Sequence, residues 1–170
     1  MLVMQIRLLA ANDDPLEISR IYEQSWKYAY KGIIPQEFLD SIPQGKWVYS
    51  LDTQGREHFV CVLDGKLIGT ASISASRWES HKDCGEIISI YLLPEFVGKG
   101  IGRALFERCV RELESRGFER IILWVLEENR TARRFYERAG FICTGEYRND
   151  EIGGKPLREV LYGLDVRGKK

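Results

Sequence analysis

Hydrophobic and polar residues follow two different periods along this chain. In the first third, apolar residues recur at helical spacing over 15–26, directly after Asp13-Asp14. A carboxylate followed by proline is typical of a helix start, because the carboxylate caps free N–H groups and proline needs no N–H there. A strand at 5–9 precedes this helix, and weaker patterns predict short helices at 35–41 and 45–51.

The rest of the chain has mostly strand character. Asp64-Gly65 separates two β-rich runs and is typical of a two-residue hairpin turn. A third β-rich run ends at Pro94, and a glycine-rich stretch then opens a helix. In chain order, the predicted elements are strands at 58–63, 67–76 and 86–93, a helix at 101–116, a strand at 120–126, a helix after Asn129, and strands at 141–147 and 157–164. This order predicts an α/β or α+β layer protein with a mixed sheet.

Composition and charge narrow the function classes. The 25 basic residues balance the 25 acidic ones, whereas nucleic-acid-binding proteins usually carry a basic excess. No apolar stretch approaches the roughly 20 residues of a membrane span, and Arg7 interrupts the apolar run that a signal peptide would need. We therefore expect a cytoplasmic protein without nucleic-acid or membrane partners, built as one domain over 1–170.

Cysteine and histidine positions indicate no metal site. The relevant residues are Cys61, Cys84, Cys109 and Cys143, with His58 and His81. They form no C-x-x-C pair and no cluster with the spacing of metal ligands. We expect four reduced thiols, as in cytosolic proteins generally.

The stretch VGKGIGR, from Val97 to Arg103, is suited to binding phosphate. Its glycines allow close approach of backbone N–H groups to a ligand, and the start of a helix favours negative charge. Lys99 and Arg103 add positive charge. The stretch is neither a P-loop, because Gly-Lys-Ser/Thr is missing, nor a dinucleotide fingerprint, because the third glycine is missing. A glycine turn without a ligand remains the alternative.

Two motifs resemble those of the GNAT superfamily of N-acetyltransferases. The family signature for acetyl-CoA, Q/R-x-x-G-x-G/A, corresponds to 97–102, with Val97 in place of the leading Gln or Arg. The second match is Asn129-x-x-Ala132-x-x-Phe135-Tyr136, followed by Gly140-Phe141. The resemblance is close over about 57–141. It implies a central mixed, mostly antiparallel twisted sheet of six or seven strands with helices on both faces.

The resemblance also implies acetyl-CoA as co-substrate, without a metal. It assigns cofactor contacts to Ile90, Tyr91, Leu92, Val97, Gly98, Lys99, Gly100, Ile101, Gly102, Arg103, Asn129, Ala132 and Tyr136. Loss of the Gln or Arg at Val97 is expected to weaken cofactor binding without abolishing it, with Lys99 and Arg103 as compensating charges.

Three catalytic roles follow from the same resemblance. An alkylammonium with a pKa near ~10 must lose a proton before it attacks a thioester, and Glu86 matches a family base. A solvent-facing glutamate at a strand end is the equal alternative. The backbone N–H of Ile90 matches the oxyanion donor. Tyr136 matches the general acid for the leaving thiolate, with a buried aromatic on the helix stripe as the alternative.

The acceptor is less defined than the cofactor. Aromatic residues near the first helix, chiefly Trp26 and Tyr30, are candidates for binding an amine, and helix-packing core is their alternative role. The acceptor is a primary amine of a small molecule or a protein. The absence of an acidic residue near Trp124 lowers the option of a protein N-terminus.

The family also implies a possible homodimer. Two other function classes stay open. One is a non-catalytic acetyl-CoA sensor or interaction module of the same fold, and the other is an unrelated α/β nucleotide-binding protein.

Overall fold

All strands belong to one twisted sheet in the computed structural model, which describes residues 3–167. The spatial order is β1-β2-β3-β4-β5-β7-β6, and only the β4–β5 pair is parallel. The strands are β1 (Met4–Leu8), β2 (Glu57–Leu63), β3 (Lys66–Ala75), β4 (Gly85–Leu92), β5 (Arg120–Leu126), β6 (Ile142–Ile152) and β7 (Lys155–Asp165). The predicted fold class, a mostly antiparallel mixed sheet of six or seven strands, is confirmed.

Helices cover both faces of this sheet. They are α1 (Pro15–Ala29), α2 (Gln36–Asp40), α3 (Ile101–Ser115) and α4 (Arg130–Arg138). On one face, α3 and α4 enclose a core around Phe106, Ile121 and Tyr162. On the other face, α1 packs Ile18 and Ile21 against β2 and β3. None of the helices within residues 3–167 is long and apolar enough to cross a bilayer.

Local sequence signals account for the element boundaries. Asp14 accepts a hydrogen bond from the Leu16 N–H, as expected of the cap of α1. Asp64 and Gly65 both have positive φ, at 47° and 79°, as the predicted two-residue hairpin turn requires. Asn129 caps α4 through a 3.2 Å hydrogen bond from the Ala132 N–H.

Two sequence predictions are corrected. The helix predicted at 45–51 is a 3₁₀ turn at Val48–Asp52, because its residues offer only one short half-buried face. Strand β6 extends to Ile152, well beyond the predicted end at 147. Its polar second half lacks a strand-like pattern and is held by register with β7, where Arg148 lies opposite Glu159.

Candidate active site

The sheet opens between β4 and β5. These two strands pair only at Gly85–Ile121 and Glu86–Ile122, and then diverge. On the other side of β4, the register with β3 shifts at the same level, and Ile88 is the extra residue of a β-bulge. Residues of β4 are buried up to Ile87 and half-buried from Ile88 onward. A cleft therefore enters the middle of the sheet beside β4.

Main-chain groups of β4 line this cleft. The Leu93 N–H donates to the Ile68 carbonyl over 2.9 Å, which sets the phase of the β3–β4 ladder. Since alternate residues of an antiparallel ladder face the partner strand, the N–H and C=O of Ile90 and Leu92 point away from β3. The Leu92 carbonyl accepts the Ser25 hydroxyl of α1. The Ile90 N–H thus faces the side on which β5 has diverged.

The glycine loop leads from the end of β4 into α3. Gly98 and Gly100 both have a φ of 80°, and a Cβ at either position would meet no atom within 4 Å. Their conformation requires glycine, and the space beside them is open to a ligand. Gly100 is the N-cap of α3, and no side chain caps the first turn of this helix. Its N–H groups are therefore available to an anion.

The side chains of this loop give the helix start little additional charge. Val97 is 43% exposed and offers no hydrogen-bond donor from its side chain. Lys99 lies 5.5 Å over the ring of Phe96, and the Arg103 guanidinium donates to Glu107 over 2.8 Å. Ile101 is half-buried beside the α1-side core, and Gly102 lets α3 approach Leu92. An anion at this loop would therefore meet mainly backbone N–H groups.

Tyr136 reaches the cleft from α4. Its ring packs 5.5 Å from Phe106, and its hydroxyl makes no hydrogen bond within residues 3–167. Burial, with a smaller contribution from the nearby Tyr91, raises the pKa of Tyr136 well above its ordinary value. The phenol therefore stays protonated at neutral pH and has a free proton to donate. The Tyr136 ring thus packs on the buried face of α4 while its hydroxyl stays free to donate.

Glu86 is buried at the closed end of the β4–β5 seam. It is 1% exposed, so the solvent-facing alternative is wrong. Its carboxylate accepts hydrogen bonds from the Arg77 guanidinium (2.7 Å), the Arg77 N–H (3.1 Å) and the Trp78 indole (3.2 Å). Burial acts to raise the pKa of Glu86, but these hydrogen bonds and the Arg77 charge outweigh it, and the pKa lies below its ordinary value. This setting disfavours Glu86 as a proton acceptor.

The predicted acceptor aromatics meet β4 on the α1 face. The Trp26 indole donates to the Tyr91 hydroxyl over 3.1 Å, and its ring lies 4.9 Å from Tyr30. Burial raises the pKa of Tyr30 to about 12, with smaller upward effects of Tyr136 and Glu159, whereas Tyr91 acts to lower it. The ring of Tyr30 belongs to the same packed cluster as Leu126 of β5 and Leu157 of β7. Trp26 and Tyr30 therefore combine packing with a position beside the cleft.

The sequence did not point to several residues near the cleft. They are Arg77, Trp78, Trp124, Arg148 and Glu159, which come from three separate parts of the chain. The Arg148 guanidinium lies 4.7 Å from the Trp78 ring centre and pairs with Glu159. Among the arginines of α4, Arg133 donates a 2.9 Å hydrogen bond from Nε to the Tyr162 hydroxyl. No short motif joins the five residues, so only the folded sheet brings them together.

The diverging strands β4 and β5 and the glycine-capped start of α3 form the candidate site. Residues 17–141 match the model of the Acetyltransferase (GNAT) family. The chain belongs to this family and is an acetyltransferase. It is 31% identical to the uncharacterized N-acetyltransferase YuaI of Bacillus subtilis, over 89% of this chain and 87% of that protein.

Other relatives and structures agree with the family. A spermidine N(1)-acetyltransferase of Thermoplasma acidophilum is 24% identical, over 81% of this chain and 88% of that protein. The structure of PaiA N-acetyltransferase from Thermoplasma acidophilum with coenzyme A superposes with a TM-score of 0.73 at 20% identity, covering 96% of this chain and 99% of that one. YncA of Salmonella typhimurium with acetyl-CoA gives a TM-score of 0.72 at 22% identity, covering 97% and 95%. These solved structures share the fold of this chain.

Proposed function

We propose that this protein transfers the acetyl group of acetyl-CoA directly to a primary amine of a small molecule or protein. The observation that carries the proposal is the opening of the sheet beside Ile90. It provides unpaired main-chain groups of β4 in line with the glycine-capped start of α3. In this arrangement the extended arm of CoA pairs with β4 as an added strand, and its diphosphate lies at the helix start.

The chemistry requires three events at the acetyl group. The amine nitrogen forms a bond to the acetyl carbon, and the carbon–sulfur bond breaks. The Ile90 N–H stabilises the negative charge that develops on the carbonyl oxygen, since preorganised donors in a dry cleft favour the transition state. The departing sulfur takes the Tyr136 hydroxyl proton and leaves as a thiol. The nitrogen, now bonded to the acetyl carbon, loses its excess proton to water in the cleft, and Tyr136 regains a proton from that water. The products are a neutral acetamide and free CoA.

Removal of the ammonium proton is assigned to water in the cleft. The carboxylate of Glu86 accepts hydrogen bonds from Arg77 and Trp78, and its lowered pKa makes it a weak base. We assign Glu86 instead to holding the β3–β4 connection over the acceptor side of the sheet. Asn129 and Ala132 contribute by fixing the start of α4, and hence the position of Tyr136.

A thiol-release assay with acetyl-CoA tests the proposal. The panel contains polyamines, amino acids, aminoglycosides and peptides, and mass spectrometry identifies the acetylated product. We expect release with at least one amine and no comparable release with buffer alone. Calorimetry with CoA provides the independent binding measurement. Binding without turnover on any amine would favour the sensor function, and absence of CoA binding would refute both.

A further inference from the structure

A cluster of charged and aromatic residues borders the cleft on the α1 face of the sheet. It consists of Trp78, Trp124, Arg148 and Glu159, referred to as the hairpin cluster because two of its members lie on the β6–β7 hairpin. The two indole rings are 5.4 Å apart, and the Arg148 guanidinium lies 4.7 Å from Trp78 and 5.6 Å from Trp124. Arg148 and Glu159 are directly opposite in the β6–β7 register and form an ion pair.

The hairpin cluster is continuous with the acetyl-transfer cleft. Trp78 also donates to Glu86 at the closed end of the β4–β5 seam. Tyr30 packs in one cluster with Leu126 and Leu157, which lie two residues along β5 and β7 from Trp124 and Glu159 and so share their face of the sheet. A small acceptor bound against Tyr30 can therefore contact the hairpin cluster while its amine faces the cleft.

Two hydrogen-bond donors in the hairpin cluster are unused. Within residues 3–167, Trp124 Nε1 and Arg148 Nε are buried and have no hydrogen-bond partner. A buried donor without a partner costs about 1–3 kcal/mol, so such groups normally mark a water or ligand position. Glu159 Oε2 lies within ion-pair distance of Arg148 but accepts no well-formed hydrogen bond. The unused donors belong to two adjacent side chains and suit an anionic oxygen.

The charges beside the cleft argue against a polycationic acceptor. The carboxylate of the buried Glu86 pairs with Arg77, and that of the half-buried Glu159 pairs with Arg148. A polyamine would have to displace one of these arginines to find a counter-ion. The Arg77 side chain is 44% exposed, but its charge is already balanced by Glu86. An acceptor with its own negative group meets donors without breaking an existing pair.

We infer that the acceptor is an amino carboxylate, whose carboxylate binds Arg148 and the Trp124 indole while its amine faces the cleft. The inference rests on the proposed acetyl transfer and specifies its substrate class. In this arrangement Trp26 and Tyr30 contact the ammonium end, for which aromatic faces are suitable. The ring of Trp124 positions Arg148, and its N–H supplies the second donor.

Matched acceptors test the substrate class. The thiol-release assay is run with the twenty amino acids, β-alanine and 4-aminobutyrate, with the corresponding amino acid amides, with short peptides and with spermidine. We expect kcat/KM for the best amino carboxylate to exceed that of its amide by about tenfold or more, since a hydrogen bond to a charged group is worth about 1.5–3 kcal/mol. The amine of the amide is less basic, so a larger fraction of it is unprotonated and able to attack at neutral pH. This difference in basicity favours the amide and therefore opposes the preference that we expect.

Two variants locate the carboxylate. Arg148→Gln and Trp124→Phe should each raise KM for the amino carboxylate about tenfold, with little effect on its amide, because the carboxylate is the only acceptor group that these side chains contact in the proposed arrangement. Arg158→Gln is the control, since Arg158 lies on the same hairpin with its side chain on the opposite face. Circular dichroism confirms folding, and Trp124→Phe retains the ring that packs on Trp78.

Three results would overturn the inference. The first is a higher kcat/KM for an amide, a peptide or spermidine than for any amino carboxylate. The second is an equal loss of activity on the amino carboxylate and its amide in Arg148→Gln, and the third is no turnover on any amino carboxylate. Turnover on spermidine or a peptide would leave the proposed acetyl transfer intact while refuting the substrate class. Absence of acetyl-CoA binding in calorimetry would refute the acetyl transfer itself.

Discussion

The Tyr136 side chain is partly buried against the core beneath α3 and α4, and its hydroxyl has no hydrogen-bond partner within the described residues. A phenol in this setting stays protonated, because burial and the neighbouring Tyr91 both oppose its ionisation. Its proton is therefore present at neutral pH. At the scale of single residues, the proposed reaction depends on this phenol and on the Ile90 N–H.

The variant Tyr136→Phe separates this role from packing. We expect kcat to fall about 10²-fold or more, the usual contribution of a positioned general acid, while acetyl-CoA affinity stays within a few-fold. Initial rates and calorimetry measure the two quantities. Tyr28→Phe is the matched control, because Tyr28 is 58% exposed on α1. Unchanged turnover in Tyr136→Phe would remove this hydroxyl from the mechanism.

Glu86→Gln tests the assignment of Glu86 as a structural anchor. The neutral side chain weakens the hydrogen bonds from Arg77 and Trp78, so we expect a loss of about 1–2 kcal/mol, or roughly 2–8 °C in Tm. The acidic limb of the pH–rate profile should stay where it is. Glu79→Gln, at an exposed position of the adjacent turn, is the control. A displaced acidic limb would restore Glu86 as the base.

The pH dependence of stability follows from the same carboxylate. The folded-state pKa of Glu86 lies below its ordinary value of 4.5. The ionised Glu86 carboxylate therefore contributes fully to the free energy of unfolding when the pH is above the ordinary pKa. This contribution is lost as the pH falls through the lower folded-state pKa. The Tm difference between the wild type and Glu86→Gln should be constant near neutrality and shrink in acid. A difference that grew on acidification would contradict the ionised pair.

At the scale of elements, the start of α3 combines two left-handed glycines with an uncapped helix N-terminus. Gly100→Ala introduces a Cβ at a φ of 80°, which costs about 1–2 kcal/mol or shifts the loop. A shifted loop misaligns the N–H groups of the first turn, so we expect the dissociation constant of acetyl-CoA to rise about tenfold. Calorimetry measures this affinity, and chemical denaturation measures the stability.

A second glycine provides the control for this prediction. Gly55 has a φ of 79° and open space around its Cβ position, like Gly100, but lies in the connection before β2. Gly55→Ala should reduce stability by a similar amount without changing cofactor affinity. If both variants weaken acetyl-CoA binding equally, the effect comes from general destabilisation, and the role assigned to the α3 start is wrong.

At the scale of the whole molecule, the β4–β5 seam is the weak point of the sheet. Four strands lie on one side of it and three on the other, joined along the sheet by two residue pairs. A ligand that pairs with β4 and contacts α3 and α4 bridges both sides. Acetyl-CoA at about 100 times its dissociation constant should add ~2.7 kcal/mol, or roughly 5–11 °C in Tm.

The matched comparison for this shift uses ATP and NAD at the same concentration. Neither has the pantetheine arm that pairs with β4, so we expect shifts well below that of acetyl-CoA. Differential scanning fluorimetry is sufficient for the measurement. Equal shifts from ATP or NAD would indicate a general nucleotide site and would favour the unrelated nucleotide-binding class.

The sequence by itself determined the features that depend on neighbouring residues. The Asp64-Gly65 turn, the Asn129 cap and the glycine loop are set by interactions within about four positions, so their residue types identify them directly. Element order followed from hydrophobic period, and two motifs, at the start of α3 and along α4, were enough to indicate the family. The end of β6 was missed because its polar residues form a strand only through pairing with β7.

Only the tertiary structure decided which side chains meet at the cleft. Trp26 and Tyr91 are 65 positions apart, and Arg148 meets Trp78 and Trp124 from a different hairpin. The position of Glu86 in the sequence is equally compatible with a free base and with a buried structural residue. The hydrogen bonds that it accepts from Arg77 and Trp78 distinguish the two. Burial and charge balance depend on strands that are distant in sequence, so no local pattern encodes them.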